Sequence, residues 1–511
     1  VLAVLLLLMS WWVGVLALRR FDFYDMSIFL DAGWRVARGQ RMYVDFFYIA
    51  GPVHPYLYAV LIRLLGFNKW AVLVFLLGTQ AAVLASSYAM ARRAFSPLLA
   101  ALFAAAAGAA CVLSLAHPWY DLTAFALLLA GWAAVDVFDP FAQPRHSWSA
   151  AVAGATAALA FLAKTNVGLA GGGMLLLALV LRAVLLRRWR PVAWYALSGL
   201  VVLAILILTL ASPAEYLRQN FVDFGTSGRL ARFGRMGAVL TELPYTSLAL
   251  ATAVLAWAGG PRWSRRFLPT LLMAVVVFVT GVFSLWTGSS LVVGGGYLVG
   301  VSAILLGRVA VELPQADEGR PIRRVPAAAW RVAAGLLAVL ILYWAAGRAL
   351  VGWNWRRSNV LADYALRTPG FEGWRCFRPT GEGVDRAAEA IRALVPAADT
   401  LLVIPDATVL YGMTGHDSYR GVPWAWDITS SPARGSRLYE RTVNRLHQDK
   451  PAWILVHFQN DSVASATLAL IAHLRLAPMI AAEYRPAWSW GDFVLLRRTS
   501  ADGGGPPAAP R

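Results

Sequence analysis

The sequence predicts an all-α membrane protein of about eleven transmembrane helices, with a water-soluble α/β domain at its C-terminal end. Of its 511 residues, 59% are hydrophobic and 14% are charged, whereas a soluble domain carries about a quarter charged residues. The apolar residues form successive runs of roughly 18 to 25, which is the length that crosses a hydrocarbon core about 30 Å thick. Because these runs are many, they are not a single signal peptide.

The loops between these runs set the predicted orientation. Every loop that the prediction assigns to the cytoplasm carries arginine, as the positive-inside rule requires. Those arginines lie at 92–93, 145, 187–190, 262–266 and 320–324. The first long loop (19–68), a second long loop (212–237) and everything after residue 350 are then extracytoplasmic. The predicted spans are 1–18, 69–91, 97–116, 121–138, 148–164, 168–186, 191–211, 238–258, 267–286, 289–308 and 327–347.

The extracytoplasmic segments contain further predicted elements. In the first loop, 27–38 and 55–65 predict helices, and the second is too short to span and suits the membrane interface. In the C-terminal part, strands alternate with helices, which predicts a layered α/β sheet. The predicted helices are 384–394, 436–447 and 462–474, and the predicted strands are 400–404, 452–458 and 493–497. The predicted domains are therefore 1–350 in the membrane, 351–499 outside it, and a disordered Gly/Pro-rich tail at 500–511.

Composition also limits the function classes. The net charge is +18, from 46 Lys and Arg against 28 Asp and Glu, but no basic segment has the length or interleaved aromatics of a nucleic-acid surface. The two cysteines, Cys111 and Cys376, form neither a disulfide framework nor a zinc site. Internal repeats and mid-span charges are typical of transporters, and the sequence shows no repeat and almost no mid-span charges. Polar residues collect on the extracytoplasmic side, so we expect a site at the outer interface.

The first long loop holds the candidate chemistry. Its segment 21–27 reads Phe-Asp-Phe-Tyr-Asp-Met-Ser and places Asp22 and Asp25 just outside the first span. A carboxylate there suits a general base, because it can take a proton from an aqueous acceptor while a lipid-held substrate lies in the bilayer. The other interpretation is helix capping by Asp25 or Ser27, which satisfies free backbone N–H groups. Downstream of this segment stand Gly39, Tyr43, Asp45, Gly51, Pro52 and His54.

This pattern resembles the first extracytoplasmic loop of the GT-C glycosyltransferases, a membrane family that uses polyprenyl-phosphate sugars and includes the aminoarabinose and protein mannosyltransferases. Asp25 matches the family's catalytic acidic position, and Asp22 is the second candidate. Several relatives carry an acidic pair where this chain has a lone Asp. The resemblance covers roughly residues 1–310 by topology. It implies a GT-C type bundle and an inverting sugar transfer, in which Asp25 deprotonates the acceptor hydroxyl.

Other extracytoplasmic residues fit the same interpretation. Lys164 resembles the lysine that the family places near the donor phosphate, and the alternative is a lysine that snorkels to the interface. Arg218, Arg229 and Arg232 suit the same phosphate through paired donors, or they suit anionic lipid headgroups. The candidate substrate-binding residues are Asp45, His54, His117 and Asp121. For Asp121, capping of the following helix is the alternative.

The predicted function is therefore an integral membrane glycosyltransferase, of the hexosyl- or pentosyltransferase type, in the bacterial cytoplasmic (inner) membrane. Its expected partners are a polyprenyl-phosphate sugar, a cell-envelope glycan, lipid or protein acceptor, and membrane lipids. The mechanism needs no cofactor and no metal, although some relatives of the family use a divalent metal. Two alternatives stay open: a lipid-linked glycan transporter or flippase, and a non-catalytic envelope assembly protein.

Overall fold

The computed structural model describes most of the N-terminal part of the chain and most of the C-terminal part. The described residues are 2–18, 21, 23–48, 50–93, 95–108, 119–135, 148–210, 212–220, 363–422, 434–458 and 461–499. Outside them lie the predicted spans at 238–258, 267–286, 289–308 and 327–347, and the tail at 500–511.

Helices form at every predicted span whose residues are described. The N-terminal helices are α1 (Leu2–Ala17), α2 (Phe23–Ala37), α3 (Val53–Leu65), α4 (Lys69–Ala91), α5 (Pro97–Gly108), α6 (Tyr120–Val135), α7 (Trp148–Ala163), α8 (Thr165–Leu186), α9 (Arg190–Thr209) and α10 (Pro213–Arg218). Of the described helices, α4, α8 and α9 are long and apolar enough to cross a membrane, whereas α1, α3, α6 and α7 are shorter apolar helices. The total of eleven spans stays a prediction.

Helices α2 and α3 are the two helices that the sequence predicts within the first long loop. Helix α2 begins at Phe23 rather than near Ser27, so Asp25 lies in its first turn. The prediction of Ser27 as a cap is wrong, because this residue lies inside the helix. Its hydroxyl instead accepts a hydrogen bond from the backbone of Val409, far away in the sequence.

The described chain divides into two compact units that do not follow the order of the sequence. The first unit contains the described residues of 1–17 and 76–207. The second combines those of 18–75, 208–220 and the C-terminal part from residue 363. The first long loop, the start of the second long loop and the α/β sheet thus fold together. The predicted domain boundary at residue 350 lies outside the described residues.

Helices α6, α7 and α8 pack closely within the first unit through glycines. A Cβ atom added at Gly131 of α6 would lie 2.5 Å from Thr156 Oγ1 on α7. A Cβ atom added at Gly168 of α8 would lie 2.0 Å from the backbone nitrogen of Phe161 on α7. Small residues that let helix backbones approach this closely are typical of membrane bundles. This packing sets the first turn of α6 beside the turn that joins α7 to α8.

The C-terminal part forms the α/β sheet that alternating strands and helices predict. Its elements are β1 (Tyr364–Ala365), β2 (Arg375–Cys376), α11 (Arg378–Leu394), β3 (Leu401–Ile404), α12 (Val409–Thr414), α13 (Arg437–Asp449), β4 (Trp453–His457), α14 (Asp461–His473), α15 (Ala477–Glu483), β5 (Tyr484–Trp490) and β6 (Phe493–Arg498). Strands β1 and β2 pair with each other. The larger sheet has the order β3-β4-β6-β5, with β3 and β4 parallel and the other neighbours antiparallel.

Strand β5 is a part of the sheet that the sequence analysis missed. It contains Pro486, and its pairing with β6 shifts register between Pro486 and Trp488. Proline has no N–H group for a ladder, so a strand that contains it is confined to a sheet edge or to a bulge. Strand β5 is an edge strand of the sheet, and it has a bulge next to its proline.

Candidate active site

The predicted catalytic acid lies in the first turn of α2. The backbone of Asp25 is helical, and its side chain lies outside the described part of the chain. Asp22, His117, Arg229 and Arg232 also lie outside it. Their roles stay predictions.

The turn of α2 that follows Asp25 is held by α12. The Oγ atom of buried Ser27 accepts a hydrogen bond from Val409 N–H at 3.0 Å. The carbonyl oxygen of Ser27 accepts a second bond from Thr408 Oγ1 at 3.5 Å. Both bonds lie within the second unit, so its C-terminal part fixes the turn next to the candidate base.

One helical turn further along α2, Asp31 and Arg35 form a buried ion pair. Neighbouring polar groups make short hydrogen bonds to both side chains. Arg35 Nε lies 2.8 Å from Asp31 Oδ2, and the two side chains are 0% and 1% exposed. Arg35 also donates to the carbonyl oxygens of Tyr419 at 2.6 Å and Val422 at 3.1 Å. Asp31 Oδ1 accepts a bond from Ser418 Oγ at 2.6 Å. Burial raises the pKa of the Asp31 carboxyl, and the positive charge of Arg35 opposes this in part.

Asp45, a predicted substrate-binding residue, closes the turn after α2. Its Oδ2 atom accepts hydrogen bonds from Arg41 N–H at 2.8 Å and from Arg41 Nε at 3.3 Å. Burial alone would raise the pKa of Asp45, but these bonds and the charges of Arg41 and Arg420 lower it overall. Asp45 is therefore a carboxylate whose charge is balanced within its own loop.

His54, another predicted substrate-binding residue, lies inside an aromatic cluster of the second unit. Its ring is fully buried and packs edge-on against Phe29, at 4.8 Å between centroids, and Phe75, at 4.9 Å. The ring of Tyr58 lies 5.0 Å away. The structure thus places the His54 ring in packing contacts at the start of α3, and its role in substrate binding stays a prediction.

Lys164 and Asp121, which the sequence proposes separately, meet in the first unit. Lys164 lies between α7 and α8, and its Nζ atom lies 3.7 Å from Asp121 Oδ1. The same ammonium lies 4.1 Å from the centre of the Tyr120 ring. Asp121 is fully buried in the first turn of α6, and Lys164 is 16% exposed. Within the described ranges, neither carboxylate oxygen of Asp121 accepts a hydrogen bond.

These contacts bear on the alternative interpretations of both residues. A capping carboxylate accepts hydrogen bonds from the first backbone N–H groups of its helix, and Asp121 accepts none from the described residues. A snorkelling lysine extends its ammonium into water, whereas that of Lys164 lies against an aromatic ring and a carboxylate. The pair is therefore a small, mostly buried charged site at the ends of three helices.

Comparison with known proteins identifies the fold. No protein-family model and no curated protein matches the sequence. The crystal structure of ArnT from Cupriavidus metallidurans bound to undecaprenyl phosphate superimposes with a TM-score of 0.52 and 16% identity, over 99% of this chain and 98% of that chain. The chain has the GT-C fold. The Archaeoglobus fulgidus oligosaccharyltransferase, in complex with Zn and sulfate, matches with a TM-score of 0.50 and 11% identity, over 89% of this chain and 68% of that chain.

In this GT-C chain, the start of the second long loop is fastened to the first long loop. Gln219 donates from Nε2 to the carbonyl oxygen of Tyr43 at 2.8 Å. Tyr43 adopts a φ of 65°, a left-handed conformation that is uncommon for a bulky residue, and its hydroxyl donates to Ala50 O at 2.7 Å. Arg218 is partly exposed at the end of α10, and its contact with a donor phosphate stays a prediction.

Metal binding has no obvious framework in the part of the GT-C chain that the structure describes. There, no group of three or more His, Cys, Asp or Glu side chains is arranged to hold an ion. The sequence analysis missed Tyr120, which contacts Lys164 in the first unit, and Arg35, which pairs with Asp31 in the second unit. The second had a signal, because Asp31 and Arg35 are spaced i, i+4 on a helix, where opposite charges meet.

Proposed function

We propose that this chain is an integral membrane glycosyltransferase that moves a sugar from a polyprenyl-phosphate donor to a cell-envelope acceptor. Its GT-C fold supports this, and the ArnT structure with that fold holds undecaprenyl phosphate. The proposed location is the bacterial inner membrane, with the C-terminal α/β part outside the cytoplasm. The observation that carries the proposal is the Lys164–Asp121 site, because it is charged and mostly buried, and neither oxygen of Asp121 accepts a hydrogen bond from the described residues.

The proposed reaction is a single displacement with inversion. Asp25 takes the proton of the acceptor hydroxyl, whose oxygen forms a bond to the anomeric carbon. The bond from that carbon to the polyprenyl-phosphate oxygen breaks on the opposite face, and its electron pair leaves with the phosphate. The leaving group carries its charge without protonation, so it needs a positioned cation rather than an acid. Lys164 is the cation proposed for this role.

The geometry around Lys164 suits that task. At 3.7 Å from Asp121, the ammonium is attracted by the carboxylate without a hydrogen bond of normal length. The ammonium carries three donors, and a phosphate oxygen accepts hydrogen bonds from such groups. Asp121 and the Tyr120 ring hold the ammonium in place, because both attract a cation more strongly in a partly buried site than in water.

The test is the transfer rate of Lys164→Ala, measured with a polyprenyl-phosphate sugar in nanodiscs. We expect a loss of about 10²-fold or more in kcat/KM, as for other groups that stabilise developing charge. The matched control is Lys69→Ala, because Lys69 is a partly exposed lysine whose ammonium donates to the carbonyl of Glu372 and lies over the Trp70 ring. Unchanged kinetics in Lys164→Ala would remove the support for a donor site here.

A further inference from the structure

The turn that joins α8 to α9 in the first unit is strongly basic. Residues 187–190 read Arg-Arg-Trp-Arg, and all four are exposed. Helix α8 has 22 residues, so it spans about 33 Å at a rise of 1.5 Å per residue. That length matches a hydrocarbon core about 30 Å thick. In a membrane-spanning chain, the basic turn and Lys164, which precedes the other end of α8, therefore lie at opposite membrane surfaces.

Other arginines at this end of the first unit are bonded within the protein. Arg182 of α8 is buried, and its Nη1 atom donates to the carbonyl oxygen of Val135 at 2.9 Å. Arg93, just after α4, donates from Nη2 to the carbonyl oxygen of Ala133 at 2.8 Å. Both carbonyls belong to the last turn of α6, where backbone acceptors have no partner within the helix. The two arginines thus cap α6 and show that the ends of α4, α6 and α8 lie together.

Arg187 and Arg190 of the basic turn have no such internal contacts. Among the described residues, neither guanidinium makes a hydrogen bond or an ion pair. Arg190 is also the first residue of α9, where a positive charge opposes the positive end of the helix dipole. Local stability therefore does not account for this charge, whereas a negative partner outside the chain would balance it.

Helix α9 continues from the basic turn and is attached to its neighbours along one face. Tyr195 is the single buried residue of this fully described helix, and its hydroxyl donates to the carbonyl oxygen of Gly172 on α8 at 2.7 Å. Ser198 Oγ donates to the carbonyl oxygen of Ala151 on α7 at 2.7 Å. These bonds fix which face of α9 points into the unit.

The opposite face of α9 forms an open apolar stripe. Its members follow Arg190 at intervals of three or four residues, which places them on one side of a helix. Each is between 45% and 77% exposed: Trp194, Leu197, Val201, Ile205 and Leu208. From its first to its last member the stripe runs about 21 Å, which exceeds half of a hydrocarbon core about 30 Å thick. An acyl chain of one leaflet can therefore lie along it.

We propose that the basic turn and the apolar stripe bind an anionic phospholipid, with its headgroup at the arginines and an acyl chain along α9. Guanidinium groups offer paired donors to a phosphate, and basic residues beside a span attract anionic headgroups. Trp194 lies one helical turn from Arg190, and tryptophan rings favour the boundary between headgroups and hydrocarbon. The inference rests on the proposed membrane location, but it needs neither the sugar donor nor the reaction.

The test is native mass spectrometry of the full chain in detergent with equimolar phosphatidylglycerol and phosphatidylcholine. We expect the chain to retain phosphatidylglycerol in preference. Arg190→Gln and Arg187→Gly should each lower that preference by about 5-fold, as for the loss of one basic residue beside an anionic surface. Both variants should fold, because Arg190→Gln removes a charge that opposes the helix dipole and glycine readily adopts the φ of 52° found at Arg187.

The matched control is Arg92→Gln. Arg92 is an exposed arginine just after α4, at the same end of the first unit, and its guanidinium donates to the carbonyl oxygen of Phe95. Its loss removes an equal charge and should leave the preference for phosphatidylglycerol unchanged. Thermal unfolding of each variant shows that the comparison is made between folded proteins.

Undecaprenyl phosphate, added as a third lipid, separates this surface from the proposed donor site. Lys164→Ala should weaken its retention and spare that of phosphatidylglycerol, and Arg190→Gln should do the reverse. Failure of Lys164→Ala to weaken its retention, with the effect of Arg190→Gln intact, would count against the proposed function alone.

Four results would overturn the inference. The first is equal retention of the two phospholipids by the unmodified chain, and the second is an unchanged preference in both Arg187→Gly and Arg190→Gln. The third is an equal loss of preference in Arg92→Gln, which would mean that any exposed arginine at this surface has the same effect. The fourth is displacement of phosphatidylglycerol by undecaprenyl phosphate in the Lys164→Ala chain, which would assign the basic turn to the polyprenyl lipid.

Discussion

Two buried carboxylate–cation pairs in this protein differ in how completely they are bonded. Asp31 and Arg35 meet at 2.8 Å, and backbone carbonyls and a serine hydroxyl engage their remaining groups. Asp121 and Lys164 are 3.7 Å apart, and neither oxygen of Asp121 accepts a hydrogen bond from the residues described. Removing a charge from water costs several kcal/mol, which attraction offsets only when further hydrogen bonds satisfy the pair.

We propose that this difference separates a structural pair, Asp31–Arg35, from a functional one, Asp121–Lys164. The Asp31–Arg35 pair meets the conditions under which a buried ion pair is tolerated, and it joins α2 to the segment at 418–422. Asp121, whose oxygens accept no hydrogen bond from the described residues, does not meet them, so we expect its charge to lower stability compared with an uncharged side chain. Such incompletely satisfied groups are typical of positions where a substrate supplies the missing contacts.

The largest expected effect is that of Asp25→Asn on the transfer rate. The amide cannot accept the acceptor's proton, so we expect a loss of about 10² to 10⁴-fold in kcat. Asparagine caps a helix nearly as well as aspartate, so the thermal unfolding midpoint should not move. Asp22→Asn, the nearest other acid, serves as the control. Transfer that survives in Asp25→Asn and fails in Asp22→Asn would move the base to Asp22.

The next effect concerns the closely bonded pair. Arg35→Met leaves Asp31 as an uncompensated buried charge, so we expect the free energy of unfolding to fall by about 3 to 5 kcal/mol. Arg38→Met is the matched control on the same helix, since its pair with Asp417 is exposed and should contribute less than about 1 kcal/mol. Chemical unfolding of both variants in nanodiscs measures the difference. Equal losses would mean that burial and bonding do not set the strength of these pairs.

The smallest effect is a pH dependence at Asp45. Its pKa is lowered in the folded protein, so its stabilisation is present above the ordinary carboxyl pKa and is lost as the pH falls through the lowered value. Asp45→Asn should therefore unfold at a lower temperature than the unmodified protein at neutral pH. The two should converge in acid. A constant gap between their midpoints at all pH values would show that the charge of Asp45 is not the cause.

The sequence predicts single residues better than it predicts their partners. Apolar runs and periodicity are enough to predict the helices. The acidic residues of the first loop and the lysine at the end of a span are enough to propose Asp25 and Lys164 as candidates. The meeting of Lys164 with Asp121 depends on the close packing of α6, α7 and α8. Likewise, the spacing of Asp31 and Arg35 indicates a helical pair, but nothing local indicates the distant Ser418 that completes it.

The position of His54 also shows that a local sequence motif does not predict the surroundings of a residue. Its place beside a Gly-Pro turn suggests an exposed ligand, whereas the fold surrounds it with aromatic rings from three helices. Burial is a property of the packed unit, in which the first long loop and the C-terminal sheet fold together. A local motif carries no information on that association.

Asp121→Asn tests most directly whether the loosely bonded pair serves the reaction at the expense of stability. The substitution keeps the shape of the side chain and removes the buried negative charge. We predict that the thermal unfolding midpoint stays the same or rises, while the rate of sugar transfer from a polyprenyl-phosphate donor falls by about 10-fold or more. A lower midpoint with an unchanged transfer rate per folded molecule would contradict this interpretation and make Asp121 and Lys164 a structural pair.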